Sequence, residues 1–104
     1  MTITEEDTEK LMLVIKEFYV THDLKWPTTD QAFRFVIEEL GELARDMNDM
    51  IPGWKRNNPR KLPPTSDDIA DEIGDAIMML MVLGMTVGVN PLESLYRKMS
   101  RSKL

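Results

Sequence analysis

The segment from Ser66 to Val87 constrains the fold most, because it predicts a long helix with apolar side chains on nearly every side. Its second half is apolar all round, and such a helix has to be covered on every face. One face is expected to pack in the core of the domain and the opposite face to contact another subunit. A central helix enclosed by its own chain is the alternative. The expected core face comprises Ile69, Ile73, Ala76, Ile77, Leu80, Leu83 and Val87, and the expected contact face comprises Met78, Met81, Val82 and Met85.

Three other segments repeat apolar residues at helical spacing, and no segment alternates as a strand would. The first covers about residues 4–21, the second about residues 28–50, and the last begins with Asn90 as its cap. The sequence therefore predicts one all-α, four-helix, bundle-like domain over residues 1–104. A domain of this size gains buried apolar surface by association, so a dimer or tetramer is expected. The expected core stripe of the second helix is centred near Leu40, Leu43 and Met47.

Charge and composition exclude several classes of function. With 13 basic and 18 acidic residues the formal net charge is −5, which argues against a nucleic-acid-binding protein. The chain has no cysteine, so zinc thiolates and a cysteine nucleophile are excluded, and its one histidine, His22, lacks the spacing of a di-iron site. The sequence shows no apolar run of membrane-spanning length and no signal-like N-terminus, so we expect a cytoplasmic protein.

Two pairs of acidic residues, Glu39 with Glu42 and Glu72 with Asp75, are each separated by three positions and lie beside an apolar stripe. Residues three apart on a helix share a face, so two neighbouring helices can bring all four carboxylates together. Crowded carboxylates repel one another, whereas a hard divalent cation turns them into a binding site. The sequence predicts a Mg²⁺-binding helical protein, with Mn²⁺ as a substitute. A solvated acidic helix surface is the alternative.

The order of these acids, Glu38-Glu39-x-x-Glu42 and then Glu72-x-x-Asp75, resembles the EExxE…ExxD signature of the MazG-like nucleotide pyrophosphohydrolases. The likeness extends from about Trp26 to the C-terminus and includes the Asn-Pro-Leu-Glu start of the last helix. It implies an all-α enzyme that hydrolyses a nucleoside triphosphate between its α and β phosphates. The group includes dimeric dUTPases, dCTP pyrophosphatases and phosphoribosyl-ATP pyrophosphatases.

The resemblance also implies roles for individual residues. The second and third acids of the first motif and both acids of the second would be the main Mg²⁺ ligands. Glu38 would orient water or help to hold a second Mg²⁺, and both Glu38 and Glu39 are candidates for activating the water. Lys98 matches a lysine that the last helix of the family offers to phosphate. Ser102 stands where the family usually has asparagine.

Further residues are candidates for binding the rest of a nucleotide. Basic residues occur in the loop after the second helix and in the C-terminal tail, and solvated surface is the alternative for both places. Phe35 is best placed for a nucleobase because it lies one turn before Glu39 on the same side. Trp26 and Trp54 are alternatives that would otherwise only anchor their own segments. The phosphate-binding candidates are Lys98, Arg101, Lys55 and Arg56, with Arg60, Lys61, Arg97 and Lys103 close to them in sequence.

Glycines lie inside both acidic motifs, at Gly41 and Gly74. Glycine inside a helix costs roughly 0.5–1 kcal/mol relative to alanine. Their matched positions therefore indicate a close approach of the two helices or of a ligand.

The leading hypothesis is a Mg²⁺-dependent nucleoside triphosphate pyrophosphohydrolase that removes non-standard or surplus nucleotides. A phosphoribosyl-ATP pyrophosphatase is an alternative within the same chemistry. A non-catalytic helical interaction module is an alternative from another class. The expected partners are the nucleotide substrate and further copies of the chain, with neither nucleic acid nor a membrane.

Overall fold

The computed structural model describes residues 5–51 and 62–102, and within these ranges all regular structure is helical. The four helices are α1 (Glu5–Thr21), α2 (Thr29–Met50), α3 (Ser66–Thr86) and α4 (Pro91–Ser102). The prediction of an all-α, four-helix protein is confirmed for the residues that the structure describes. The starts of α2, α3 and α4 agree with the sequence pattern because each carries a recognisable capping residue.

Side chains cap the starts of α2, α3 and α4. At α2, the Thr28 hydroxyl accepts a hydrogen bond from the backbone N–H of Gln31 at 3.2 Å, and the Gln31 side chain accepts one from the N–H of Thr28. Thr65 and Asp68 form the same reciprocal pair at α3. At α4, the side-chain oxygen of Asn90 accepts from the N–H groups of the second and third helical residues. Each cap satisfies backbone donors that the first turn of a helix leaves free.

Helices α2 and α3 form an antiparallel pair, and their contact is the most extensive in the structure. The direction follows from the acids, because Glu39 lies beside Asp75 while Glu72 lies beside Glu42 and Asp46. Helix α1 packs across the C-terminal half of α3. The buried core comprises Ile15, Tyr19, Ala32, Val36, Met79, Met81 and Val82.

Two polar and aromatic contacts fix α1 to the rest of the chain. The Tyr19 hydroxyl donates to the Met79 sulfur at 3.6 Å, and the Trp26 ring packs edge-on against the Tyr19 ring with centroids 4.9 Å apart. Burial raises the pKa of Tyr19, so the phenol stays protonated and able to donate. Trp26, which is half-buried, therefore joins the core through α1.

Helix α4 is held where it leaves the end of α3. Buried Thr8 accepts a hydrogen bond of 2.7 Å from the Asn90 side chain, so the cap of α4 is tied to α1. At Gly84, an added Cβ would overlap the ring of Pro91 and the Val89 carbonyl, so the crossing requires glycine. The axes of α3 and α4 meet at 95°. No single helix in the described ranges meets the length and apolarity test for a membrane span, although α3 and α4 meet it together across this bend.

The prediction of which face of α3 is buried inside the chain is wrong. Met81 and Val82, expected to contact another subunit, are 1% and 0% exposed inside their own chain. The predicted core residues Ile73, Ile77 and Leu80 are instead 44–50% exposed. A helix that is apolar all round gives no sequence basis for choosing a face. Helix α1 packs against the methionine-bearing face of α3, where flexible methionines fit the irregular space beside it.

The predicted core stripe of α2 shifts in the same way. Ala32 and Val36 are buried against α3, whereas Phe33, Ile37 and Leu40 are 46–55% exposed. Gly41 and Gly74 also differ from expectation, since a Cβ at either position would have no heavy atom within 4 Å. Neither glycine marks a close helix crossing in the structure, so that prediction is wrong for protein contacts. A ligand contact remains a prediction.

Candidate metal centre

The acidic residues converge halfway along the α2–α3 pair. One carboxylate oxygen from each of Glu39, Glu72 and Asp75 lies within 4.8 Å of the other two. The three-residue spacing in α3 places both of its acids on one side, and the antiparallel arrangement brings Glu39 level with them. Glu39 and Asp75, which are 36 residues apart in sequence, thus meet through one helix contact, without help from α1 or α4.

Glu42 and Asp46 extend the cluster along α2. The side chain of Glu42 lies close enough to Glu72 to raise the pKa of Glu72, through its charge and through hydrogen bonding between the two carboxyl groups. Asp46, one turn further along, is partly buried and its charge also acts on Glu72. The sequence could have predicted that Asp46 belongs to the cluster, because it follows Glu42 by four positions and so lies on the same side of the helix.

Glu39 and Glu72 occupy the inner part of the cluster. The Oε2 atom of each is buried and has no hydrogen-bond partner among the described residues. Burial is the main cause that raises the pKa of Glu39, followed by the charges of Glu42 and Asp75. The pKa of Glu72 is raised by burial, by the charge of Glu42 and by that of Asp46. Both carboxylates are therefore unfavourable in their charged form without a cation.

No basic side chain within residues 5–51 and 62–102 forms an ion pair with these acids. Ion pairs elsewhere in these ranges include exposed pairs along single helices: Lys10 with Glu6, Arg34 with Asp30 and Arg97 with Glu93. An all-oxygen, all-anionic donor set with buried unpaired oxygens is what Mg²⁺ or Mn²⁺ binds. The residues present fit a hard divalent cation.

The remaining candidates near the cluster lie on α2. Glu38 is exposed and acts electrostatically on Glu39, which follows it in sequence. Phe35 is 40% exposed and lies on the side of α2 that carries Glu42. The structure thus leaves part of the Phe35 ring accessible near the acids. Trp26 packs into the core beside Tyr19, away from this side of α2.

The basic candidates are not brought to the acids within the described part of one chain. Lys98 and Arg101 lie exposed on α4, which starts at the end of α3 remote from Glu72. The Arg101 Nε donates to the Arg97 carbonyl at 3.3 Å, along the same helix. Trp54, Lys55 and Arg56 lie outside the described residues, as do Arg60, Lys61, Lys103 and the side chain of Ser102.

Comparison of the chain with protein-family models, curated proteins and solved structures found no match. The resemblance to the MazG-like enzymes therefore rests on the acidic motifs and remains a prediction.

Proposed function

We propose that the protein is a Mg²⁺-dependent nucleoside triphosphate pyrophosphohydrolase that forms a nucleoside monophosphate and pyrophosphate. The observation that carries this proposal is the convergence of Glu39, Glu72 and Asp75 within 4.8 Å. Carboxylates this close repel one another and a bound cation relieves that repulsion. Two of them also have a buried oxygen without a hydrogen-bond partner among the described residues. The order of acids along the chain adds support through its resemblance to the pyrophosphohydrolase signature.

The proposed ligands are the carboxylates of Glu39, Glu42, Glu72 and Asp75. Bound Mg²⁺ or Mn²⁺ would supply charge neutralisation of the phosphate oxygens and a water of lowered pKa. The protein supplies a fixed set of anionic oxygens on two packed helices, so little reorganisation is needed. Asp46 lies at the edge of this set and is a further candidate ligand.

The hydrolysis itself requires one water and one base. The water oxygen forms a bond to the α-phosphorus, the bond from that phosphorus to the α–β bridging oxygen breaks, and pyrophosphate leaves. The water proton passes to a carboxylate, for which Glu38 and Glu39 are the candidates. Glu38 is exposed beside the cluster and Glu39 is within it, so both are within reach of a water at the acids.

The triphosphate also needs positive charge beyond the metal. Four carboxylates and two divalent cations sum to about zero, which leaves roughly four negative charges of a triphosphate unbalanced. Lys98 and Arg101 are the candidates on α4, and Lys55 and Arg56 are those in the sequence between α2 and α3. We propose a homodimer or homotetramer, in which α4 of one copy can approach the acids of another.

The proposal is tested by a pyrophosphate-release screen. Standard and damaged nucleoside triphosphates and phosphoribosyl-ATP are each incubated with Mg²⁺, with Mn²⁺ and with EDTA. We expect turnover with either metal and none with EDTA. Glu72→Gln should remove turnover, whereas Glu17→Gln, which changes an exposed acid on α1, should leave it intact.

Metal binding is measured separately by calorimetric titration with Mn²⁺. Turnover by Glu72→Gln at the wild-type rate would contradict the assignment of the site. Mn²⁺ binding without pyrophosphate release from any substrate would favour the interaction-module alternative. Preferential turnover of phosphoribosyl-ATP would select the other alternative, in which the same acids act on a different substrate. A cytoplasmic location remains a prediction of the sequence.

A further inference from the structure

Within the described part of the chain, helix α4 is attached to the rest of the protein through its first turn. Pro91, Leu92 and Glu93 are partly buried, whereas residues 94–101 are all exposed. The helix leaves α3 at an angle of 95°. The proposed phosphate ligands Lys98 and Arg101 therefore lie on a projecting segment, and its direction is set at its base.

The position of Lys98 depends strongly on that direction. Lys98 follows Pro91 by seven positions, which is about 10 Å along a helix. A change of direction of about 20° at the base would move Lys98 by roughly 3.5 Å. A misplacement of about 1 Å already weakens a catalytic contact severely. Lys98 can serve one phosphate position only when the base of α4 is held in one orientation.

The base of α4 is held by apolar contacts and by a hydrogen bond to α1. Pro91 lies against Gly84, and Leu92 packs against the core. Apolar contacts have no preferred direction. The side-chain amide of Asn90, in contrast, donates a hydrogen bond of 2.7 Å to the Thr8 hydroxyl oxygen. A hydrogen bond weakens steeply as its angle departs from linear, so this contact limits the orientation of α4.

The surroundings of Thr8 leave its hydroxyl oxygen as an acceptor for Asn90. Thr8 is 4% exposed, whereas the acidic residues Glu6 and Asp7 just before it are exposed. The hydroxyl proton is already used, since Thr8 donates to the Glu5 carbonyl at 2.8 Å. The side-chain oxygen of Asn90 accepts from backbone N–H groups of α4 at the same time. One asparagine thus both caps α4 and joins it to α1.

We propose that Thr8 is a positioning residue for phosphate binding. Through Asn90 it fixes the direction of α4, and with it the place of Lys98. The inference rests on the proposed function, in which Lys98 binds phosphate. Thr8 lies outside the stretch that resembles the pyrophosphohydrolases, which begins near Trp26, so the resemblance does not supply this role. It gives the one polar contact between α1 and α4 described above a function beyond stability.

The test is the affinity for pyrophosphate, measured by calorimetric titration of the full chain in the presence of Mg²⁺. Thr8→Val keeps the shape of the side chain and removes the hydroxyl, so it should weaken pyrophosphate binding by about three- to tenfold. Asn90→Ser keeps a good helix cap but removes the amide donor, and it should have the same effect. Thr8→Ser keeps the hydroxyl and should bind like wild type. Mn²⁺ affinity without pyrophosphate should be unchanged in all three variants.

Thr86→Val is the matched control. Thr86 lies at the end of α3, and its hydroxyl donates to the Leu83 carbonyl at 2.7 Å, as that of Thr8 does to Glu5. The substitution therefore removes the same kind of local hydrogen bond without removing the contact to Asn90. We expect Thr86→Val to bind pyrophosphate like wild type.

A double-mutant cycle separates positioning from a general loss of stability. In a background of Lys98→Ala with Arg101→Ala, Thr8→Val or Asn90→Ser should change pyrophosphate affinity by less than about twofold, because the side chains that Thr8 positions are absent. A further loss of about three- to tenfold in that background would overturn the proposal. So would a wild type that does not bind pyrophosphate, wild-type affinity in Thr8→Val and Asn90→Ser, or an equal loss in Thr86→Val.

Release of pyrophosphate from nucleotides is scored separately, so that the two proposals can fail independently. Pyrophosphate binding that depends on Thr8, combined with no turnover of any nucleotide, would contradict the proposed function and support the positioning role. Turnover by wild type, combined with unchanged pyrophosphate affinity in Thr8→Val, would support the proposed function and overturn the positioning role.

Discussion

The two sides of the α2–α3 pair are made by the same helices, yet they need opposite partners. The acidic flank, which contains Glu38, Glu42, Asp46 and Asp75, gathers negative charge with no basic side chain paired to its central acids in the described ranges. The opposite, apolar flank gathers large hydrocarbon surface, and no helix of the described ranges lies against it. The apolar flank comprises Phe33, Ile37, Leu40 and Met47 from α2 and Ile73, Ile77 and Leu80 from α3. Glu39 and Glu72 lie between the two.

This difference shows how one helix contact can define two sites. In α2, Leu40 follows Glu39 by one position and lies on the apolar flank, whereas Glu42 follows it by three and lies on the acidic flank. In α3, Ile73 and Asp75 have the same positions relative to Glu72. Substitutions on the two flanks should therefore have separable effects, with the acidic flank controlling metal and turnover and the apolar flank controlling association.

The largest expected effect is on turnover. Glu42→Ala and Asp75→Ala should each lower Mg²⁺-dependent pyrophosphate release by at least about 100-fold, because each removes a proposed ligand. The same variants should be as stable as wild type or more stable without metal, since like charges have been removed. Rates and thermal melting in EDTA are the measurements. A variant that keeps full activity, or that loses its oligomeric state instead, would break the comparison of the flanks.

A smaller effect is expected for Lys98 on α4. Lys98→Ala should lower kcat/KM by around tenfold, about 1.4 kcal/mol, because one charged contact to phosphate is lost. Mn²⁺ affinity should remain unchanged. Comparison of the steady-state kinetics of Lys98→Ala with those of Lys55→Ala and Arg56→Ala identifies which region binds the phosphates of a substrate held at the acidic flank. A silent Lys98→Ala combined with a slow Arg56→Ala would assign triphosphate binding to the basic residues between α2 and α3.

Substitution of two exposed phenylalanines, Phe35 on the acidic flank and Phe33 on the apolar flank, compares the two flanks directly. Phe35→Ala should raise KM by roughly threefold to tenfold, since a stacked aromatic contact contributes about 0.5–1.5 kcal/mol beyond its buried area. It should leave the sedimentation mass unchanged. Phe33→Ala should weaken association and leave KM unchanged when assayed well above the dissociation constant. Kinetics and sedimentation of both variants give the answer, and an exchange of these two phenotypes would reverse the assignment of the flanks.

The smallest expected effect is a pH dependence of stability in EDTA. The pKa values of Glu39 and Glu72 are raised in the folded chain, so the folded state binds more protons than the unfolded state. The free energy of unfolding should therefore fall as pH rises from about 4.3, the value for an unfolded glutamate, through the raised folded values. Above them the loss is complete.

Urea unfolding between pH 4 and pH 7 measures this loss. The double variant Glu39→Gln, Glu72→Gln should match wild type most closely near pH 4 and become relatively more stable toward pH 7. Excess Mg²⁺ should remove that advantage, because a cation that binds only the folded wild type stabilises it. An unchanged difference between the two proteins across the pH range would contradict raised pKa values for Glu39 and Glu72 in the folded chain.

The sequence alone determined the helices and the pairing of acids on one face of each helix. Capping residues such as Thr28, Thr65 and Asn90 mark helix starts through local hydrogen bonds, which depend on residues at most three positions away. The pairs Glu39 with Glu42 and Glu72 with Asp75 share helix faces for the same local reason. Their meeting required one further condition, that α2 and α3 pack together at the acids.

Only the tertiary structure decided which apolar face of each helix is buried. Leu40, Ile77 and Met81 are all suited to a core, so periodicity could not rank them, and the transfer of any of them from water is similarly favourable. The choice depends on where α1 lies, and α1 lies against the methionine side because Tyr19 and Ile15 fit there beside Met79. Once that side is covered within the chain, the isoleucine and leucine side is the one left open.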